Sequence, residues 1–333
     1  MADLFYANAR VRALEKGLLG REQLTRLVEA PSLDACYAQL SELGFSFVTD
    51  PVDGKLLREE TLLSKLHGAF DEIAALTDEC DDRVFKLWRY PYDCNNLKAA
   101  IKCFARKTEC DGMLFDFGTV SCDEVKRAAG YNDFSAFPKY LAEGAQNAVS
   151  AFAKTGNPQL IDLILDKACY RQMLSDAEAS GVAYAIKLVR AKIDLVNLVM
   201  LLRLMRMRQG EAGRLLLQEA LIEGGEISHA ELMEYYSMPE RSFWEKLYYT
   251  DHNSLAKYVS SRDPSLTEVE RAADNVWMAL VREAVFVAHG AEILIGYLIG
   301  VEYEVKNLRV ILAGKATGLS SETVWERIRD SYV

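Results

Sequence analysis

The chain has 333 residues, of which half are hydrophobic and 26% are charged, so it is globular and able to bury a substantial core. Its net charge of −10 argues against a general nucleic-acid binder, which needs lysine and arginine to neutralise phosphates. Its seven cysteines lack C-x-x-C spacing, and the start Met1-Ala2-Asp3-Leu4-Phe5-Tyr6 has no basic stretch leading into an apolar run. Both features read as reduced thiols in the cytoplasm.

Only seven prolines occur, and long stretches lack β-branched alternation, which predicts an all-α protein. In chain order, a helical N-terminal region meets a turn at Asp50-Pro51-Val52-Asp53-Gly54. An acidic cluster follows at Asp78-Glu79-Cys80-Asp81-Asp82, and then an apolar run with basic residues from Asp93 onward. Gly118-Thr119-Val120-Ser121-Cys122-Asp123-Glu124 carries Ser-x-x-Glu, the capping box that starts a helix. Gly156-Asn157-Pro158 is a turn. Leu174 to Met207 has apolar residues at helical spacing, including Val182, Ile186, Val189, Ile193, Val196, Leu201 and Leu204. A second capping box lies at Gly225-Glu226-Ile227-Ser228-His229-Ala230-Glu231, and Arg262-Asp263-Pro264-Ser265 is another turn. Val276 to Leu312 is again helical in pattern. Within it, the most apolar run, Ala284 to Gly300, contains His289 and Glu292 and is too short and interrupted to span a bilayer. Gly318-Leu319-Ser320-Ser321-Glu322-Thr323 resembles the two capping segments but has threonine where the box wants glutamate.

One pattern occurs three times: Asp93-Cys94-Asn95-Asn96-Leu97, Asp194-Leu195-Val196-Asn197-Leu198 and Glu304-Val305-Lys306-Asn307-Leu308. The starts lie 101 (194 − 93) and 110 (304 − 194) residues apart. Each copy of acid-x-x-Asn-Leu leads into a mostly apolar run and is followed, 22, 28 and 11 residues after its asparagine, by the glycine of a helix-start segment. Three copies at near-domain spacing imply a chain built by copying one unit. The expected division is roughly 1–120, 121–230 and 231–333, packed as one compact body with pseudo-threefold symmetry, since no Gly/Ser/Pro-rich linker separates the parts.

Catalytic patterns are scarce. None of His67, His229, His252 and His289 sits in a metal-ligand spacing. Cys94, Cys103, Cys110 and Cys122 do not match zinc-ribbon or finger spacing and read as buried thiols. Gly314-Lys315 lacks the upstream glycine and following Ser/Thr of a phosphate loop. The series Arg203, Arg206, Arg208 and Arg214 reads as a solvated face or as partners for acids. Asp78, Glu79 and Asp82 have the i, i+1, i+4 spacing with which helical prenyl-diphosphate enzymes hold magnesium, but no second acidic cluster accompanies them, so a solvated acidic turn is the plainer reading. In the repeated motif, Asp194 and Asn197 share one helix face beside Leu198. A buried acid–Asn pair fixes helix register, because any other packing leaves polar groups unsatisfied. With no nucleophile or base beside it, the pair reads as structural.

Longer stretches carry a family resemblance. Ala291-Glu292-Ile293-Leu294-Ile295-Gly296-Tyr297-Leu298, continuing through Glu304-Val305-Lys306-Asn307-Leu308-Arg309-Val310-Ile311-Leu312-Ala313-Gly314-Lys315 to Gly318-Leu319-Ser320, resembles the C-terminal end of the C subunit of V/A-type rotary ATPases, the family that includes the eukaryotic d subunit. Tyr92-Asp93-Cys94-Asn95-Asn96-Leu97-Lys98 is similar to the first motif of that family. Asp162-Leu163-Ile164-Leu165-Asp166-Lys167-Ala168-Cys169-Tyr170 and Ile193 to Leu198 are similar to its middle part. The resemblance implies three pseudo-symmetric helical parts around a funnel, no catalytic activity, and no cofactor or metal. The implied partners are the D and F proteins of the rotating shaft and the proteolipid rotor ring, with no nucleic acid and no small-molecule substrate. The implied place is the cytoplasmic face of the membrane, coupling rotation to proton or sodium transport. A magnesium-dependent prenyl-diphosphate enzyme and a generic helical repeat scaffold are the alternatives.

Overall fold

The computed structural model describes residues 4–50, 56–77, 82–110, 112–208 and 210–333. Among these the protein is helical, with a single isolated antiparallel bridge between Thr49 and Leu56. The helices are α1 (Phe5–Glu15), α2 (Arg21–Glu29), α3 (Leu33–Glu42), α4 (Arg58–Leu76), α5 (Arg83–Lys86), α6 (Tyr90–Arg106), α7 (Cys122–Tyr131), α8 (Lys139–Thr155) and α9 (Gln159–Ser180). They continue as α10 (Ala183–Met207), α11 (Gly210–Ala220), α12 (His229–Tyr236), α13 (Glu240–Leu247), α14 (Asn253–Arg262), α15 (Leu266–Val281), α16 (Ala291–Ala316) and α17 (Ser321–Trp325). The chain forms two compact units. One joins Met1–Asp82 with Leu247–Val333, and the other is Arg83–Lys246.

Helix boundaries follow local chemistry. The periodic stretch from Leu174 to Met207 is two helices, because Gly181 takes a left-handed conformation (φ 68°) and ends α9, as glycine does at helix C-termini. The stretch from Val276 to Leu312 is likewise interrupted, by a 3-10 turn at Arg282–Phe286 and by Gly290 at φ 142°. At the expected turns, Gly156 closes α8 in the left-handed region, and Asp263 does the same for α14. Pro51–Gly54 lie outside the described residues.

In the first unit α16 is the central helix. Ile293 to Val301 is buried without a break, which is how a helix surrounded on all sides must read. Helices α1, α2, α3 and α4 pack on it. The ring of Tyr332 lies over Gly296 and Gly300, where a built Cβ would fall within 2.7–3.2 Å of Tyr332 atoms. Gly314, considered above as a phosphate-loop ending, is in the interior of α16 against Val324.

In the second unit α9 is the hub for α6, α8 and α10. Asp162 and Asp166 stand one turn apart on α9 and take Lys102 and Lys98, one turn apart on α6, each at 2.5 Å. Tyr90 on α6 donates to Asp176 on α9 at 2.6 Å. Helices α8 and α9 meet where a Cβ built on Gly144 would lie 2.3 Å from the Ala168 Cβ. Gly144→Ala is therefore expected to destabilise by ~1–3 kcal/mol through overpacking, although alanine is intrinsically the better helix former by about 1 kcal/mol. Chemical denaturation checks the sign; a neutral or stabilised variant would mean the two helices separate freely.

Candidate structural site: three buried acid–asparagine clamps

The three motif copies lie on α6, α10 and α16. All nine residues, Asp93, Asn96, Leu97, Asp194, Asn197, Leu198, Glu304, Asn307 and Leu308, are buried, and none is more than 4% exposed. Each polar side chain must then find partners inside the protein, and each finds them on the backbone of a following or distant loop.

The asparagines behave alike. Asn96 donates through Nδ2 to the Phe115 carbonyl (2.7 Å) and accepts at Oδ1 from the Phe115 N–H (2.8 Å). Asn197 does the same to Ile222, at 2.8 and 2.9 Å. Asn307 does the same to Arg329, at 2.9 Å in both directions. A primary amide has one acceptor and a donor pair side by side. It therefore pairs with both backbone groups of one residue, as a neighbouring strand would, and clamps that residue to the helix.

The acids hold the start of the next helix. Asp93 accepts from the Thr119 N–H (3.0 Å), the Thr119 hydroxyl (2.6 Å) and the Val120 N–H (3.2 Å). Asp194 accepts from the N–H groups of Glu226 (2.9 Å) and Ile227 (3.1 Å). The glycines of the sequence pattern explain how the loop comes so close. A Cβ built on Gly118 would fall 2.1 Å from Oδ1 of Asp93, and one on Gly225 2.0 Å from Oδ1 of Asp194. Just beyond, Ser121 and Ser228 cap α7 and α12.

The third copy departs from this plan. Gly318 is not beside Glu304; it has φ 70° and follows Thr317, the C-cap of α16, where Leu319 N–H bonds back to Gly314. Glu304 instead accepts from the Leu19 N–H (2.6 Å) and pairs with Lys65 of α4. The longer glutamate side chain supplies the extra reach.

Capping also differs in detail from the sequence expectation. The reciprocal box forms at Ser228 and Glu231, and again at Ser265 and Glu268. At α7 Ser121 caps, but Glu124 turns to Arg127. At α17 Ser320 accepts from the Thr323 N–H at 3.2 Å, so the serine half of the box survives the threonine. A further clamp was not singled out in the sequence. Asn8 on α1 pairs with both backbone groups of Gly290, at 2.9 and 2.8 Å. Its signal is a polar residue on the apolar face of α1.

The remaining candidates fall elsewhere. Among the described residues no group of three or more His, Cys, Asp and Glu side chains is placed to hold a metal ion. Cys94 and Cys103 are buried on α6 and Cys110 beyond it. His229 meets the Ile222 carbonyl at 3.1 Å, and His289 stacks on Phe5. Arg206 pairs with Glu240 at 2.8 Å. Asp78, Glu79, Cys80 and Asp81 lie outside the described residues; Asp82 precedes α5.

Burial pushes the carboxyls of Asp93 and Glu304 above the ordinary range. Bonds from Thr119 and Val120 oppose the rise at Asp93, and Lys65 and the Leu19 N–H oppose it at Glu304. A raised folded-state value means the folded protein holds the proton more tightly than the unfolded chain. The associated stability is full below the ordinary carboxylate range and is lost as pH rises through the folded value. Measured by thermal melts, the stability difference between wild type and Glu304→Gln is expected to be larger at pH 4 than at pH 7.5. A difference that grows with pH would contradict the raised value. Gly225→Ala is expected to lose ~1–3 kcal/mol, since its Cβ displaces the Asp194 carboxylate; a wild-type melting curve would show the loop has room to spare.

The chain as a whole is similar to known proteins. Residues 7–327 match the family model described as ATP synthase (C/AC39) subunit. The C subunit of the V-type sodium ATPase of Enterococcus hirae is 22% identical over 327 residues, covering 98% of both chains. The C subunit of the A-type ATP synthase of Methanosarcina barkeri is 25% identical, covering 97% of this chain and 92% of its own. That of Haloferax volcanii is 26% identical, covering 96% and 95%. With a match that covers nearly the whole chain and all three copies of the motif, the chain belongs to the ATP synthase (C/AC39) subunit family.

Proposed function

We propose that the chain is a non-catalytic central-stalk subunit of a V/A-type ATPase or ATP synthase. It couples the rotating shaft, made of the D and F proteins, to the proteolipid ring in the membrane, so that shaft rotation and movement of protons or sodium ions drive one another. Three related helical parts, centred on α6, α10 and α16, surround a funnel-shaped cavity, and the protein sits peripherally on the cytoplasmic face of the membrane.

The observation that carries this reading is the family match over residues 7–327, with relatives whose own lengths are covered almost completely. The chemistry of the clamps supports it. The acids and asparagines of the repeated motif are spent on backbone hydrogen bonds, which suits braces better than reactive groups. A part that transmits torque has to resist local opening, and buried, doubly bonded amides oppose it at each copy.

Reconstitution tests the proposal. Purified protein mixed with the D protein of the shaft and with the detergent-solubilised rotor ring is expected to bind both, and to form a ternary complex on gel filtration. Failure to bind either partner would overturn the coupling role.

A further inference from the structure

In the second unit, α6, α8 and α10 all end where α9 begins. Along α6 and α9 the pairs Tyr90–Asp176, Lys98–Asp166 and Lys102–Asp162 run in opposite directions, so these helices are antiparallel. On α8 and α9 the Tyr140 N–H donates to Gln172 (2.9 Å) and Gly144 meets Ala168, which is again antiparallel. Across the break at Gly181, Arg190 of α10 pairs with Glu178 of α9 at 2.9 Å, and Gly224 meets both Leu174 and Ile193. The C-termini of α6, α8 and α10 therefore gather at one end of the unit, beside the N-terminus of α9.

The side chains at this end depart from the acidic character of the chain. Arg106 and Lys107 close α6, Lys154 lies in the last turn of α8, and Arg208 caps α10; all four are exposed. No described carboxylate forms an ion pair with any of them. Among the described acids nearby, Asp162 is taken by Lys102 and Glu240 by Arg206, which leaves Glu109 and Glu211. A cation at a helix C-terminus complements the helix dipole, but that accounts for none of the apolar side chains set among these cations. Phe104 is 46% exposed in the last turn of α6, and Met207, the last residue of α10, is 53% exposed. Met113, 58% exposed, lies with its sulfur 3.7 Å from Cys103 of α6. A protein interface gathers its apolar side chains into a core behind a polar rim. Here cationic and apolar side chains alternate, which suits a membrane surface: cations meet headgroup phosphates, and the apolar tips beside them enter the layer below.

We infer that this end of the second unit is a contact surface for anionic lipid headgroups, with Arg106, Lys107, Lys154 and Arg208 on the phosphates and Phe104 and Met207 between them. The inference deepens the membrane-peripheral reading proposed above and rests on it for the choice of a bilayer as the anionic surface. The contact is weak by design of its charges: each cation contributes about five-fold to partitioning, so it orients a protein held by other partners.

Flotation of the full-length protein with vesicles tests the surface. Binding to phosphatidylcholine vesicles containing about one-third phosphatidylglycerol is expected to be at least about ten-fold tighter than to phosphatidylcholine alone, and to weaken as salt rises. Lys107→Gln combined with Arg208→Gln should lose about 25-fold, five-fold for each cation. Met207→Ser should lose about five-fold and leave the salt dependence unchanged. Lys139→Gln, at the opposite end of α8 and about 24 Å along the helix, should stay within about two-fold of wild type. Equal binding to both kinds of vesicle, binding to neither, or a double variant that floats like wild type would overturn the lipid contact. So would a double variant that keeps its vesicle binding but loses the detergent-solubilised rotor ring, since the cations would then serve a protein partner. Vesicle binding with no binding to ring or shaft would leave this surface standing and overturn the coupling role alone.

Discussion

A backbone N–H and C=O removed from water must be paired, and this constraint organises both units of the protein. In the loops that follow the long helices, Ile222 is buried and Phe115 and Arg329 are half-buried, and none of the three has a strand neighbour. Asn96, Asn197 and Asn307 stand in for those neighbours, each giving one acceptor and one donor to a single residue. Leaving such a pair of groups unsatisfied costs about 1–3 kcal/mol for each, so the loop has one seat on its helix and no competing register. The leucine that follows each asparagine is fully buried, which joins the polar clamp to the apolar packing around it.

The acids add a second anchor with different requirements. Asp93 and Asp194 are short, and they reach the next loop only because Gly118 and Gly225 leave room for the carboxylate. Glu304 spans to Leu19 and Lys65 and is the variant suited to a joint made between distant parts of the chain. Outside the clamps, the basic residue two positions after the asparagine meets an acid on the packed helix in two of the copies: Lys98 with Asp166, and Arg309 with Glu59. These partly exposed pairs contribute little on their own. They point the helices in the direction the buried amides enforce.

Much of this was legible in the sequence because it repeats. The acid-x-x-Asn-Leu spacing, the glycine before each serine cap and the helical periodicity are local signals, and α6, α10 and α16 carry them where the pattern predicts. The clamp targets Phe115, Ile222 and Arg329 were not legible, because any residue has the backbone groups an asparagine needs. The closure of the third copy was hidden twice over. Gly17-Leu18-Leu19-Gly20 has glycine in place of the serine cap and Gln23 in place of glutamate, and Gly318-Leu319-Ser320 offers a nearer imitation whose glycine ends a helix instead. The run from Leu174 to Met207 shows the limit of periodicity, since apolar spacing persists across the break that Gly181 makes. Asp78 and Glu79 stay outside the described residues.

The repeated polar residues are buried and bonded to backbone, so their hydrogen-bonding capacity goes into holding loops on helices. The most direct measurement of this is the thermal and denaturant stability of Asn96→Leu, Asn197→Leu and Asn307→Leu beside Asn147→Leu, which alters an exposed asparagine on α8. Each clamp variant should lose ~2–4 kcal/mol, the cost of stranding two buried backbone groups, while Asn147→Leu stays within about 0.5 kcal/mol of wild type. Clamp variants that melt with wild type would show that the loops are held by apolar packing alone.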